Sequence, residues 1–166
     1  MAARTGMAVT YLGYLEEHPG AAPGPGPLTR PAQALQTTVT ELTPDECRAL
    51  LGSHGVGRLA VPTDTGPVIV PVNYSFAEGA FVFRTTLGAT PSLAAGQAVA
   101  LEVDRIDDTF SQGWSVLIRG SARSVTDPQE QRRFTGQAYS TPWAGGERDL
   151  WVRVEPRTVT GRRTTV

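Results

Sequence analysis

The chain has 166 residues, 40% of them hydrophobic and 19% charged, with a formal net charge of −1. That length suits one domain with a real core, and the near-neutral balance gives no electrostatic footprint for nucleic acid. No apolar run approaches the ~20 residues of a membrane-spanning helix, and no secretory leader is evident, so a cytoplasmic, soluble protein is expected, with no membrane partner.

The fifteen basic residues are all arginine, which excludes lysine Schiff-base chemistry. One cysteine, Cys47, excludes an internal disulfide, and two distant histidines, His18 and His54, supply no metal site.

Residues 19–32 carry so many prolines and glycines that they read as a linker. Upstream, Met7, Tyr11, Tyr14 and Leu15 share a helical face, so residues 7–17 form either a short docking helix or a frayed tail. Residues 1–38 are therefore expected to be a flexible leader, and residues 39–166 the folded domain.

Thr43-Pro44-Asp45-Glu46 joins a hydroxyl N-cap, a first-turn proline and a glutamate three residues after the cap. A helix should run from there to Leu51 and stop at Gly52, with Cys47 inside it as a small core residue. From Gly55 the hydrophobic period changes to two, which predicts strands over 56–61, 67–76, 80–85, 98–104, 114–125 and 150–155. Ala77-Glu78-Gly79 joins the second strand to the third as a hairpin. Helical segments are expected near 91–95 and over 127–139, the latter started by Asp127-Pro128. A mainly β fold follows: a six-stranded antiparallel barrel with a few helices.

Three places carry chemistry. In 83–93 a strand ends in Arg84, Thr85 and Thr86, turns at Gly88 and enters a helix at Thr90-Pro91. Those donors make either a phosphate cradle or a solvated strand edge. Pro71 lies inside a strand, where the lost donor either opens a barrel edge for a flat ring or guards it against aggregation. Trp114 follows the turn-rich 107–113 and reads as rim packing or as a ring contact. Asp104, Asp107 and Asp108 have no basic partner at a fixed spacing, and no Gly-x-Ser-x-Gly elbow exists, so hydrolysis is not supported. Arg123 reads as a solvated strand residue.

The capped helix, Gly57-Arg58-Leu59-Ala60, residues 67–74, Phe83-Arg84-Thr85, residues 99–104, residues 113–120 and Thr160-Gly161-Arg162-Arg163 come in an order that resembles the pyridoxamine 5′-phosphate oxidase-like FMN-binding split-barrel family. The resemblance covers residues 40–166. It implies a split β-barrel homodimer with FMN at the interface and a small-molecule redox substrate. Val68, Ile69, Val70, Pro71, Val72 and Asn73 would lie beside the flavin ring. Arg84, Thr85 and Thr86 would hold its phosphate, and Trp114 and Ser115 would reach in from the other subunit. Arg162 and Arg163 either place a cation near the flavin or are solvated. Pro91 stands where the family often has a basic residue, one phosphate partner fewer.

The implied activity is FMN-dependent oxidoreduction. A deazaflavin-dependent reductase, and a non-catalytic carrier or sensor of flavin or haem, are the alternatives. Dimerisation is also expected because Trp114, Ile118 and Phe83 should need cover that a small barrel does not give.

Overall fold

The computed structural model describes residues 38–139 and 148–165. The expected leader up to residue 37, with its short helix, and the 140–147 connection lie outside the described residues. The elements are β1 (Thr38–Leu42), α1 (Pro44–Leu51), β2 (His54–Val61), β3 (Val68–Ala77), β4 (Ala80–Thr85), a 3₁₀ turn (Thr90–Ala94), β5 (Ala98–Asp107), β6 (Gln112–Ser124), α2 (Pro128–Gln137) and β7 (Leu150–Thr165).

The strand order is β1-β7-β4-β3-β2-β5-β6, and β6 also pairs with β7, so β2 to β7 close a six-stranded antiparallel barrel and β1 adds an extra strand. Two compact units are distinguished among these residues. The larger holds Leu42–Asp104 and Ser115–Gly161; the smaller holds 38–41, Arg105–Trp114 and 162–165.

Alternation builds the larger unit. Tyr74 pairs with Phe83, Phe83 with Val152, and Phe81 with Val154, so these side chains share one face and all are buried. Leu59 and Leu101, also paired, join that interior with no exposed surface. The opposite face of β4 and β7 is covered as well: Val82 and Trp151 pack with Ala77, Val125 and Phe134. Phe134 is the apolar anchor of α2, and its full burial is worth about 1.5–3 kcal/mol.

The capping box at α1 forms as expected, with Thr43 accepting from the Glu46 N–H and the Glu46 carboxylate accepting from the Thr43 N–H. Cys47 is fully buried and its thiol pKa is raised, chiefly by that burial. Tyr74 donates to the Leu51 carbonyl at 2.7 Å, and burial pushes its phenol up to about 12.

Several expectations change. β7 continues ten residues past Glu155, because Pro156 sits in a strand that tolerates it, and the extension carries a single apolar marker, Val159. β1 carries too few apolar residues to announce itself and exists by pairing with β7. The segment near 91–95 is a five-residue 3₁₀ turn over Thr90–Ala94 with no side-chain cap. β5 ends three residues later than expected, at Asp107, and β6 begins two residues earlier, at Gln112, so Trp114 lies inside a strand.

Arg123 is not a solvated bystander. Its two terminal nitrogens grip the Glu130 carboxylate at 2.6 and 3.1 Å. Arg153 adds a contact to the same carboxylate at 3.2 Å and reaches Glu78 as well, so α2 is tied to β6 and β7 by ions as well as by Phe134. Phe83 and Ile118 are fully buried within the chain and need no cover from a second copy. The apolar residues left open are others, among them Ile69 at 66% exposure.

Candidate functional site

The outer face of β2 and β3 is where the larger unit stays bare. Odd-numbered residues of β3 point outward: Ile69, Pro71 and Asn73 oppose Ala60, Arg58 and Val56 of β2. Ile69, Pro71 and Val56 are exposed, whereas Val72 on the other face is buried and Val70 half-buried. Of the six residues expected beside a ring, Ile69, Pro71 and Asn73 thus share the open face, and Val68, Val70 and Val72 take the opposite one.

Pro71 keeps its place for a simple reason. The ladder from β3 to β4 takes in only Tyr74–Ala77, so the earlier part of β3 pairs with β2 alone, and there a missing donor is tolerated. The result is a flat apolar strip along one strand. Next to it stands a cluster that sequence spacing missed. Arg58 donates from Nη1 to Glu102 at 3.0 Å and also to Asp104, which raises the guanidinium pKa, Asp104 being the first cause. Asp104 therefore has its basic partner, 46 residues away and invisible to local spacing.

At the end of β4, alternation separates the three expected phosphate residues. Arg84 lies opposite Trp151 and Thr85 opposite Leu150, so their side chains leave the strand on different faces. Arg84 donates from Nε to the Arg148 carbonyl at 2.7 Å, approaches Asp149 at 3.8 Å and lies over the Trp151 ring at 5.5 Å. Its side chain is 30% exposed, and the outer edge of its guanidinium remains available to an anion.

Thr85 is fully buried, and its Oγ1 has no hydrogen-bond partner among the described residues. A buried hydroxyl left unpaired costs about 1–3 kcal/mol, which a ligand acceptor at this strand end would remove. The following turn uses Gly88 at φ +84°, its N–H donating to Ser92 Oγ at 3.2 Å. The flat strip and the half-free guanidinium fit a phosphorylated flavin, whereas the orphaned hydroxyl of Thr85 lies on the opposite face of the strand.

Thr85→Val keeps the shape and removes the orphan. It should raise stability by about 1–2 kcal/mol in thermal or denaturant unfolding of the ligand-free protein. If Oγ1 is kept for a phosphate, the same variant should bind flavin about tenfold less tightly, which requires the exposed 86–88 turn to shift on loading.

Trp114 and Arg162 belong to the smaller unit, and both are half-buried; Ser115 is exposed at the start of the barrel part of β6. In the smaller unit Trp114 lines a cleft with Arg105 and Arg163, so Arg163 and not Arg162 is the arginine beside it. The described residues contain no group of three or more His, Cys, Asp or Glu placed to hold a metal ion, and no helix long and apolar enough to cross a membrane.

Residues 43–163 match the family model described as pyridoxamine 5′-phosphate oxidase. An uncharacterized Mycobacterium tuberculosis protein, Rv0080, is 38% identical over 131 residues, which cover 75% of this chain and 85% of that protein. A solved FAD-binding protein from Mycobacterium smegmatis is 35% identical, covers 76% of this chain and 98% of its own, and superposes with a TM-score of 0.57. An FAD-binding protein from Mesorhizobium loti, 22% identical over 78% of this chain and 99% of its own, shares the fold with a TM-score of 0.66.

Proposed function

We propose, because this chain belongs to the pyridoxamine 5′-phosphate oxidase family, that it is a flavin-dependent oxidoreductase acting on a small molecule and working as a two-fold dimer. The observation that carries this reading is the bare strip of Ile69 and Pro71 on the outer face of β3, a flat apolar surface at the place where the family lays its cofactor ring.

The chemistry supplied by a bound flavin is transfer of a hydride or an electron pair, and the protein's part is binding, orientation and electrostatics. Ile69 and Pro71 present the surface for the ring, with Asn73 as a polar group at its edge. Arg84, Thr85 and Thr86 take the phosphate, and a second copy brings Trp114 and Ser115 over the same strip. Dimerisation would also cover Ile69 and Val56, which are 66% and 41% exposed in the single chain. The M. smegmatis protein's binding of FAD supports a flavin here and makes the dinucleotide a candidate beside FMN.

The test is titration of the purified chain with FMN, FAD and a deazaflavin, followed by quenching of cofactor fluorescence, with the mass read by light scattering. Saturable binding of FMN or FAD at one per chain, by a particle of twice the chain mass, is expected. Binding of the deazaflavin alone would move the activity to a deazaflavin reductase. A colourless monomer that binds none of the three would reject the oxidoreductase reading.

A further inference from the structure

The smaller unit holds a cleft of about 270 Å³ among the ends of three strands. Arg105 comes from β5, Gln112 and Trp114 from β6, and Arg163 and Thr164 from β7. Small-molecule pockets run from about 300 to 1,000 Å³, so this one lies at the small end of that range.

Its charge is lopsided. Two arginines, Arg105 and Arg163, line it against one carboxylate, Asp107, whose Oδ1 accepts from the Thr109 and Phe110 N–H groups at 3.1 Å each. Arg105 is exposed, and its guanidinium makes no hydrogen bond or ion pair with any described residue. The two strand ends are held closely here, since a Cβ on Gly113 would stand 2.5 Å from the Arg105 carbonyl oxygen. The neighbours of that contact, Arg105 and Trp114, are thereby fixed on one cleft. A planar guanidinium matches two oxygens of a carboxylate or phosphate, and an indole face accepts a ring.

We propose that this cleft binds a small planar anion, its carboxylate or phosphate on Arg105 and Arg163 and its ring on Trp114. Gln112 and Thr164 supply neutral polar groups for the ring's substituents. Naming that ligand the redox substrate rests on the flavin reading; its binding does not. The same chemistry is carried by a free aromatic acid and by the adenosine diphosphate half of a dinucleotide, and the probes separate the two.

The experiment is calorimetric titration of the full chain with benzoate and with ADP, repeated on R105Q and W114L. Melting curves accompany each variant; exposed Arg105 should leave the melting temperature of R105Q unchanged. The parent should bind at least one probe below about 1 mM, and R105Q should weaken it about tenfold or more. Preference for benzoate assigns the cleft to an acidic substrate, and preference for ADP assigns it to a dinucleotide. No binding of either probe to the parent up to roughly 10 mM, or equal binding by parent and R105Q, overturns the proposal. FMN and FAD titrated in parallel keep the two readings apart: flavin binding unchanged in R105Q while benzoate is lost supports both, and benzoate binding by a parent that ignores FMN and FAD alike rejects the flavin reading alone.

Discussion

Gly120→Val should destabilise the protein by about 3 kcal/mol or more and leave a chain that unfolds well below the parent's melting temperature. Gly120 lies on β6, in the barrel part of the strand, and is buried. A Cβ placed there would clash with the Glu155 carbonyl oxygen and stand 2.9 Å from its carbon, an overlap that only backbone movement can relieve. The contact is made where β6 meets β7, the pairing that closes the barrel, so the strain would fall on closure itself. Gly136 is the control. It sits near the end of α2 with nothing within 4 Å of an added Cβ, and Gly136→Ala should gain about 0.5–1 kcal/mol from helix propensity. Denaturant unfolding of the two variants reads both signs. A Gly120→Val protein as stable as the parent would mean that β6 and β7 are not closed at this point.

Much of this barrel could be read from the chain because its signals are local. The hydroxyl, proline and glutamate at Thr43, Pro44 and Glu46 form a capping box within one turn, and the β3–β4 hairpin follows from Glu78-Gly79, where φ is 50° and 78°. The strands with alternating apolar residues were legible for the same reason. What stayed hidden depends on partners far along the chain. Ser75 and Ala77 are buried on the face of β3 that carries exposed Ile69 and Pro71, because α2, more than 50 residues later, covers one end of that face and not the other. No period within β3 reports where such a cover stops.

Ion pairs show the limit most sharply. Asp104 shows no basic partner in the sequence until pairing of β2 and β5 brings up Arg58, 46 residues away, and Arg123 reads as a solvated strand residue until α2 folds Glu130 back onto β6. Of the residues expected at a site, some features of position were legible. Pro71 marks an open stretch of strand, and the strand-end arginine is in place. Sequence order groups Arg84, Thr85 and Thr86 as three neighbouring donors, and the pleat divides them, since neighbours on a strand face opposite ways. The cleft around Arg105 brings together three strand ends spread over about sixty residues, and although Asp107, Trp114 and Arg163 drew attention from the sequence, nothing in it placed them together.

Arg84→Ala should weaken flavin binding roughly tenfold to a hundredfold while Arg123→Ala leaves it unchanged, since a charge-assisted hydrogen bond to phosphate contributes about 1.5–3 kcal/mol. Pro91 gives the loop no second cation, which puts the loss toward the upper end. Arg84 is steadied for that role: its Nε is spent on the Arg148 carbonyl and its plane rests over Trp151, so the terminal nitrogens meet an anion with little ordering left to do. Arg123 makes a control of the opposite kind. Its fork on Glu130 is structural, and removing it leaves a carboxylate with a 10% exposed side chain to Arg153 alone, a loss of about 1–3 kcal/mol in stability. The Arg123 hydrogen bond is the first cause holding the Glu130 carboxyl below the usual carboxylate range. Stability from that depressed value is present above the ordinary carboxyl pKa and is lost as pH falls through the folded one, so Arg123→Ala should begin acid unfolding at a higher pH than the parent. The two variants therefore part along different axes, dissociation constant for Arg84 and melting temperature for Arg123. Equal flavin affinity in Arg84→Ala and the parent would place the phosphate elsewhere on the barrel.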